Sequence, residues 1–119
     1  MKVTIRKIGN FYHVFDEDVY ILYYLFHYKI YQGKCGFPKS AYNKVIQKLE
    51  ECRISYENMI DHDSHDFGKK NQYLKFVQKG KNEMEFESRK KNIFEEAKKL
   101  SVEELDELLG MMENYICER

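Results

Sequence analysis

The chain has 119 residues, 34% of them charged, and its 20 basic and 20 acidic side chains cancel. That length holds one ordinary core and leaves no room for a second, and a net charge of zero excludes a global electrostatic footprint. The cancellation is segmental, however: residues 1–53 carry net +4, 54–66 net −4, 67–99 net +5 and 100–119 net −5.

Lys2 to Arg6 alternates polar and apolar, Gly9-Asn10 supplies turn residues, and Phe11 to Phe15 alternates again, which predicts an antiparallel hairpin. In the second strand Phe11, His13 and Phe15 share one face, and Tyr12 and Val14 share the other. An aromatic beside a polar residue on an exposed face can wedge into a base stack; the same alternation also serves as half of a core. Asp16 is the expected N-cap of a first helix over Glu17 to His27, with Val19, Leu22, Tyr23 and Phe26 at helical spacing.

Lys29 to Gln32 reads as a short strand, and Gly33, Gly36 and Pro38 mark an irregular loop in which helix and strand are both disfavoured. Ser40 is placed to cap an amphipathic helix over Ala41 to Arg53, whose apolar stripe is Tyr42, Val45, Ile46, Leu49 and Cys52. Ile54 to Ile60 is a further strand, and Asp61 to Asp66 a polar turn. No strand is expected beyond it. Tyr73, Phe76 and Val77 begin a helical face that Gly80 is placed to break, and Phe86, Ile93, Phe94, Ala97 and Leu100 continue a longer helix. Ser101 and Glu104 form a capping-box pair ahead of Leu105, Leu108, Leu109, Met112 and Ile116. The expectation is an α/β (α+β) body over residues 1–66 and a helical hairpin over 67–119, basic on its first arm and acidic on its second, within one unit.

Cys35, Cys52 and Cys117 are odd in number and lack C-x-x-C spacing, and Met1 to Thr4 does not begin a secretory leader, so free thiols and a cytoplasmic location are expected. The longest apolar run, Val19 to His27, is too short to span a bilayer and is interrupted by tyrosines, so no membrane contact is expected.

The run Gly9-Asn10-Phe11-Tyr12-His13-Val14-Phe15-Asp16-Glu17-Asp18 resembles the start of the mismatch-recognition domain of MutS, whose pattern is Gly-Asp-Phe-Tyr-Glu-Leu-Phe before an acidic helix start. Further on, Cys35-Gly36-Phe37-Pro38-Lys39-Ser40-Ala41 is similar to that family's Ala-Gly-Ile-Pro-Tyr-His-Ala, again ahead of an amphipathic helix and a strand. The likeness covers about residues 8 to 60. It implies a small mixed sheet flanked by helices, and taken with the neighbouring residues it gives an expected DNA-contacting set of Phe11, Tyr12, His13, Lys34 and Lys39. Phe11 matches the Phe that stacks on a mispaired base, while His13 stands where the family has the Glu that hydrogen-bonds it. An imidazole can donate or accept, so discrimination of the family's kind does not follow from the match. The chain has no G-x-x-x-x-G-K-[ST] phosphate loop and too little length for the family's ATPase.

Lys2, Arg6, Lys7, Lys29, Lys34 and Lys39 are candidates for tracking phosphates, and equally for a solvated surface. His62, Asp63, His65 and Asp66 have ligand chemistry, but neighbours in one turn converge on an ion only with help from elsewhere, and a solvated acidic turn is the simpler reading. Cys35, beside Gly36 in the expected loop, is the candidate exposed thiol, and Cys52 reads as core. Glu103, Glu104, Asp106 and Glu107 read as solubility charges. No catalytic constellation, cofactor motif or metal set is found. Two functions follow: a stand-alone DNA-binding module for mismatched or distorted duplex, or a non-catalytic protein-interaction or structural module that has lost DNA binding and pairs with itself or another protein through its C-terminal helices.

Overall fold

The computed structural model describes residues 1–97, 102–104, 106–107 and 109–111. Its sheet is built from β1 (Val3–Ile8), β2 (Phe11–Phe15), β3 (Ile30–Tyr31), β4 (Lys34–Pro38), β5 (Tyr56–Asn58) and β6 (Ser64–His65). The helices are α1 (Asp18–Phe26), α2 (Tyr42–Glu51) and α3 (Tyr73–Ala97). The six strands run in the order β3-β4-β2-β1-β5-β6, mixed because β1 pairs with β5 in parallel while the other neighbours are antiparallel. This is an α+β fold with a mixed sheet and flanking helices, as the sequence suggested.

The β1–β2 hairpin closes through Gly9 at φ +62, the positive φ at the first turn position that a two-residue hairpin turn of the II′ kind requires. Strand alternation then sorts the residues: Val3, Ile5, Tyr12, Val14, Cys35, Phe37 and Tyr56 are buried in one cluster with Val19, Ile21 and Leu22 of α1, Val45 and Leu49 of α2, and Tyr73 and Val77 of α3. The opposite parity, including Arg6, Ile8, Phe11 and Pro38, stays exposed. One face of the sheet therefore carries the core and the other is open.

Several expectations are corrected. The segment from Lys34 to Pro38 is a strand rather than a loop, pairing with β2 over five residues. Gly36 is there for a close approach, since a Cβ at that position would stand 2.7 Å from Nε2 of His13. Asp16 does not cap α1: it takes φ 55, the helix opens after Glu17, and neither residue makes a capping hydrogen bond. Asp18 instead accepts the backbone N–H of Thr4 at 2.9 Å, which ties the helix start to β1. Ser40 falls inside a short 3-10 turn, Lys39–Ala41, that leads into α2, with no side-chain cap.

A strand does follow Ile60. The fully buried Asn58 accepts the N–H groups of Ile60 and Asp61 on its Oδ1, folding the chain so that Ser64 and His65 return antiparallel to β5. Gly80 does not interrupt α3 either. A Cβ there would stand 2.1 Å from the carbonyl oxygen of Tyr20, so the glycine lets α3 lie close against α1.

The chain divides into two compact units, Met1–Glu83 and Met84–Arg119. The first extends past the expected change of architecture at Asp66 because Tyr73 and Val77 belong to its core. In the second, Arg89 pairs with Glu85 at 2.7 Å and Lys90 lies over the Phe86 ring. Residues 102–104, 106–107 and 109–111 are helical. The Ser101–Glu104 capping box and most of the expected second apolar stripe lie outside the described residues. Among the described residues, no helix is long and apolar enough to cross a membrane.

Candidate functional site

The open face is centred on β2. Phe11 stands between Ile8 of β1 and Pro38 of β4, His13 between Arg6 and Gly36, and Phe15 opposite Lys34, which pairs in turn with Tyr31. Cross-strand partners point to the same side, so these residues form three adjoining rows. Phe11 is 50% exposed with Ile8 and Pro38 exposed beside it, and Tyr31 is exposed at the end of the Phe15 row. Contiguous exposed apolar side chains rimmed by basic ones are uncommon on a chain with no use for them.

His13 is half-buried and lies against the backbone of Gly36. Its ring centroid is 6.4 Å from that of Phe15, with the planes inclined by 33°. Its Nδ1 is buried without a hydrogen-bond partner among the described residues. Buried nitrogens of this kind are rare in folded proteins.

Tyr12 is corrected out of the contact set. It faces the core at 4% exposure, its ring 5.8 Å from Phe37 and 4.9 Å from Tyr42, because strand alternation turns it away from Phe11 and His13. Its hydroxyl donates to Asp61 at 3.2 Å, Asn58 donates to the same carboxylate at 3.2 Å, and Tyr42 donates to Asp63 at 2.9 Å. Burial above all, then these carboxylates, holds the Tyr12 phenol above its ordinary range and pushes Tyr42 up to about 12. The network anchors the turn after β5 and takes two of the acidic-turn residues out of contention as free ligands.

The basic residues are unequally placed. Arg6 and Lys39 are exposed, Lys39 one residue beyond Pro38, while Lys34 is half-buried in register with Phe15. Lys2 pairs with Glu57 at 2.5 Å. Lys7 is exposed but in register with Tyr12, on the other side of the sheet, and Lys29 is exposed just before β3.

Where the open face meets the start of α1, a cavity of about 250 Å³ is lined by Lys2, Thr4, Arg6, Phe15, Asp16, Glu17, Asp18 and Tyr73. Asp18 is buried at its inner wall, bonded by the Thr4 N–H and the Tyr73 hydroxyl. Burial raises its pKa, against the lowering effect of those two bonds. Glu17 pairs with Lys81 at 2.9 Å. Sequence reasoning did not find this cavity, whose lining comes from segments far apart in the chain.

Of the remaining candidates His65, Asp66 and Cys35 are occupied or buried, and His62 is exposed. His65 meets Glu50 at 2.7 Å and stacks on Phe67, and Asp66 accepts the N–H of Gly68 at 2.8 Å. The hydrogen bond from His65 is the main reason the Glu50 carboxyl lies below its ordinary range. Among the described residues no group of three His, Cys, Asp or Glu side chains is placed to hold a metal ion. Cys35 is not an exposed loop thiol: it is fully buried on β4, and burial pushes it up to about 11. Cys52 is half-buried at the end of α2. Glu103, Glu104, Asp106 and Glu107 are exposed. No protein-family model, curated protein or solved structure matches the chain.

Proposed function

We propose that this chain is a stand-alone nucleic-acid-binding module, similar to the MutS mismatch-recognition domain, that engages mismatched or distorted duplex DNA through the open sheet face without ATPase or other catalytic activity. The observation that carries the reading is Phe11, half-exposed on that face between Ile8 and Pro38, one row from Arg6. An apolar ring held there by a rigid strand can enter a base step that mispairing has already weakened, so the energy of unstacking is reduced. Arg6, Lys34 and Lys39 supply phosphate contacts, which add salt-sensitive affinity without reading sequence. His13 takes the polar position two residues on. A mixed sheet flanked by helices is also the fold the resemblance implies. A cytoplasmic location and a part in DNA repair belong to the same proposal.

The test is a titration of matched, mismatched and single-stranded oligonucleotides at low salt. Binding that prefers the mismatch, weakens with salt and falls about tenfold in Phe11→Ala supports the reading; no binding to any of the three removes it.

A second reading rests on the exposure of Phe94, Val102, Leu109 and Met111 in the second unit. An apolar set of this kind suits pairing with another copy or another protein. A dimer that forms with concentration and is lost in Leu109→Lys would favour it.

A further inference from the structure

The cavity at the end of β2 extends the open face in a way that a single inserted ring does not use, and we propose that it receives an unpaired nucleotide bearing an exocyclic amine. This rests on the nucleic-acid reading above and names the ligand more closely: a run of about three unpaired nucleotides, stacked in turn on Phe11, His13 and Phe15, the last with its base in the cavity.

Spacing is the first argument. The three rings occupy alternate positions on one strand, and Phe11 and Phe15 are about 13 Å apart by the rise of an extended chain. The rings of His13 and Phe15 lie 6.4 Å apart. Bases stacked in a duplex advance only about 3.4 Å per nucleotide along each strand, so paired DNA cannot place successive bases on successive rings. An unpaired backbone opens far enough to do so, which is how sheet surfaces with exposed aromatics hold single strands.

Chemistry of the cavity is the second. Its volume of about 250 Å³ takes one base, with Phe15 as an aromatic wall and Arg6 in the lining as the cation for the phosphate, Lys2 being paired with Glu57. Of its three carboxylates, Asp18 is held by Thr4 and Tyr73 and Glu17 by Lys81, which leaves Asp16 as the acceptor for a ligand. A carboxylate accepts from the projecting amine of cytosine or adenine, whereas the one donor of unpaired thymine, its N3–H, is flanked by two carbonyl oxygens that repel the carboxylate.

The experiment uses the whole chain and fluorescence anisotropy on labelled duplexes that hold a single mismatch, a loop of three unpaired dC or a loop of three unpaired dT. The dC loop should bind about tenfold tighter than the mismatch, from added stacking. The dT loop should be weaker than the dC loop by severalfold. Phe15→Leu, which keeps an apolar side chain but removes the ring, should erase the advantage of the loop over the mismatch. Asp16→Gly, which adopts the φ of 55 without strain, should erase the preference for dC and leave the dT loop unchanged. Equal binding of mismatch and loops by the unaltered chain overturns the inference whatever the variants do. If Phe11→Ala weakens every ligand while Phe15→Leu and Asp16→Gly change nothing, the inference is overturned and the broader reading stands. If no ligand binds, both are overturned together.

Discussion

The two faces of the sheet are built from the same residue types and differ in what lies over them. Tyr12, Val14, Cys35 and Phe37 face the helices and are buried almost completely, whereas Phe11 and Pro38, the chain neighbours of Tyr12 and Phe37, are left exposed together with Ile8. The contrast shows that aromatic content says little about function until coverage is known. A ring under helices holds the fold together, and a ring on the open face is available to a partner.

The strongest way to break the comparison is to truncate one ring on each face. Phe37→Ala removes a fully buried side chain that stacks on Tyr12 and Tyr28, and should cost about 3–5 kcal/mol of unfolding free energy in a urea titration. Phe11→Ala should cost under about 1 kcal/mol, since its ring is already half in water. Equal losses would mean that the open face is covered in solution.

A smaller effect sharpens the account of His13. Gly36→Ala places a methyl group 2.7 Å from Nε2 of its ring, and should destabilise the protein by about 1–2 kcal/mol as the ring is pushed aside. In a His13→Ala background the same change should be nearly neutral, and the double-mutant cycle measures the contact directly. An undiminished cost in that background would show that the strain lies in the backbone.

The smallest effect lies where the faces meet. Asp18 is raised above its unfolded range chiefly by burial, so its contribution to stability is fully present below the ordinary carboxylate range, near about pH 4, and is lost as the pH rises through its folded value. Asp18→Asn keeps one acceptor oxygen for the Thr4 N–H and turns its amide N–H toward the Tyr73 hydroxyl, which can accept it, and should flatten the fall in urea midpoint over that rise. Glu50, lowered by His65, acts with the opposite sign: its contribution is present above the carboxylate range and lost as the pH falls through its folded value. A variant with the unaltered pH dependence would show that Asp18 ionises in the fold as freely as in water.

Much of the architecture was legible where a local signal has one structural meaning. Gly9-Asn10 between two alternating runs became the hairpin, and the spacing of Val45, Ile46 and Leu49 became the buried side of α2. The strand β4 was hidden because Gly36 and Pro38 are turn residues by propensity. Here Gly36 makes room for a side chain two strands' pairing away in sequence, and that requirement does not exist until β2 lies beside it. Gly80 was misread for the same reason, its role being set by the Tyr20 carbonyl. The return of β6 depends on the Asn58 side chain bonding the backbone beyond it, which no propensity expresses.

For the candidate site the division is equally clear. Alternation along β2 was enough to put Phe11, His13 and Phe15 together and to separate them from Tyr12, because successive side chains of an extended strand must point to opposite sides. Which side would be covered is a different question, answered only by where α1, α2 and the first turns of α3 pack. The same packing brings Arg6, Phe15, Asp16 and Tyr73 around one cavity from β1, β2, the approach to α1 and α3. Strand geometry is local and can be read from the residues, whereas coverage and cavities depend on contacts between segments far apart in the chain, and these exist only once it has folded.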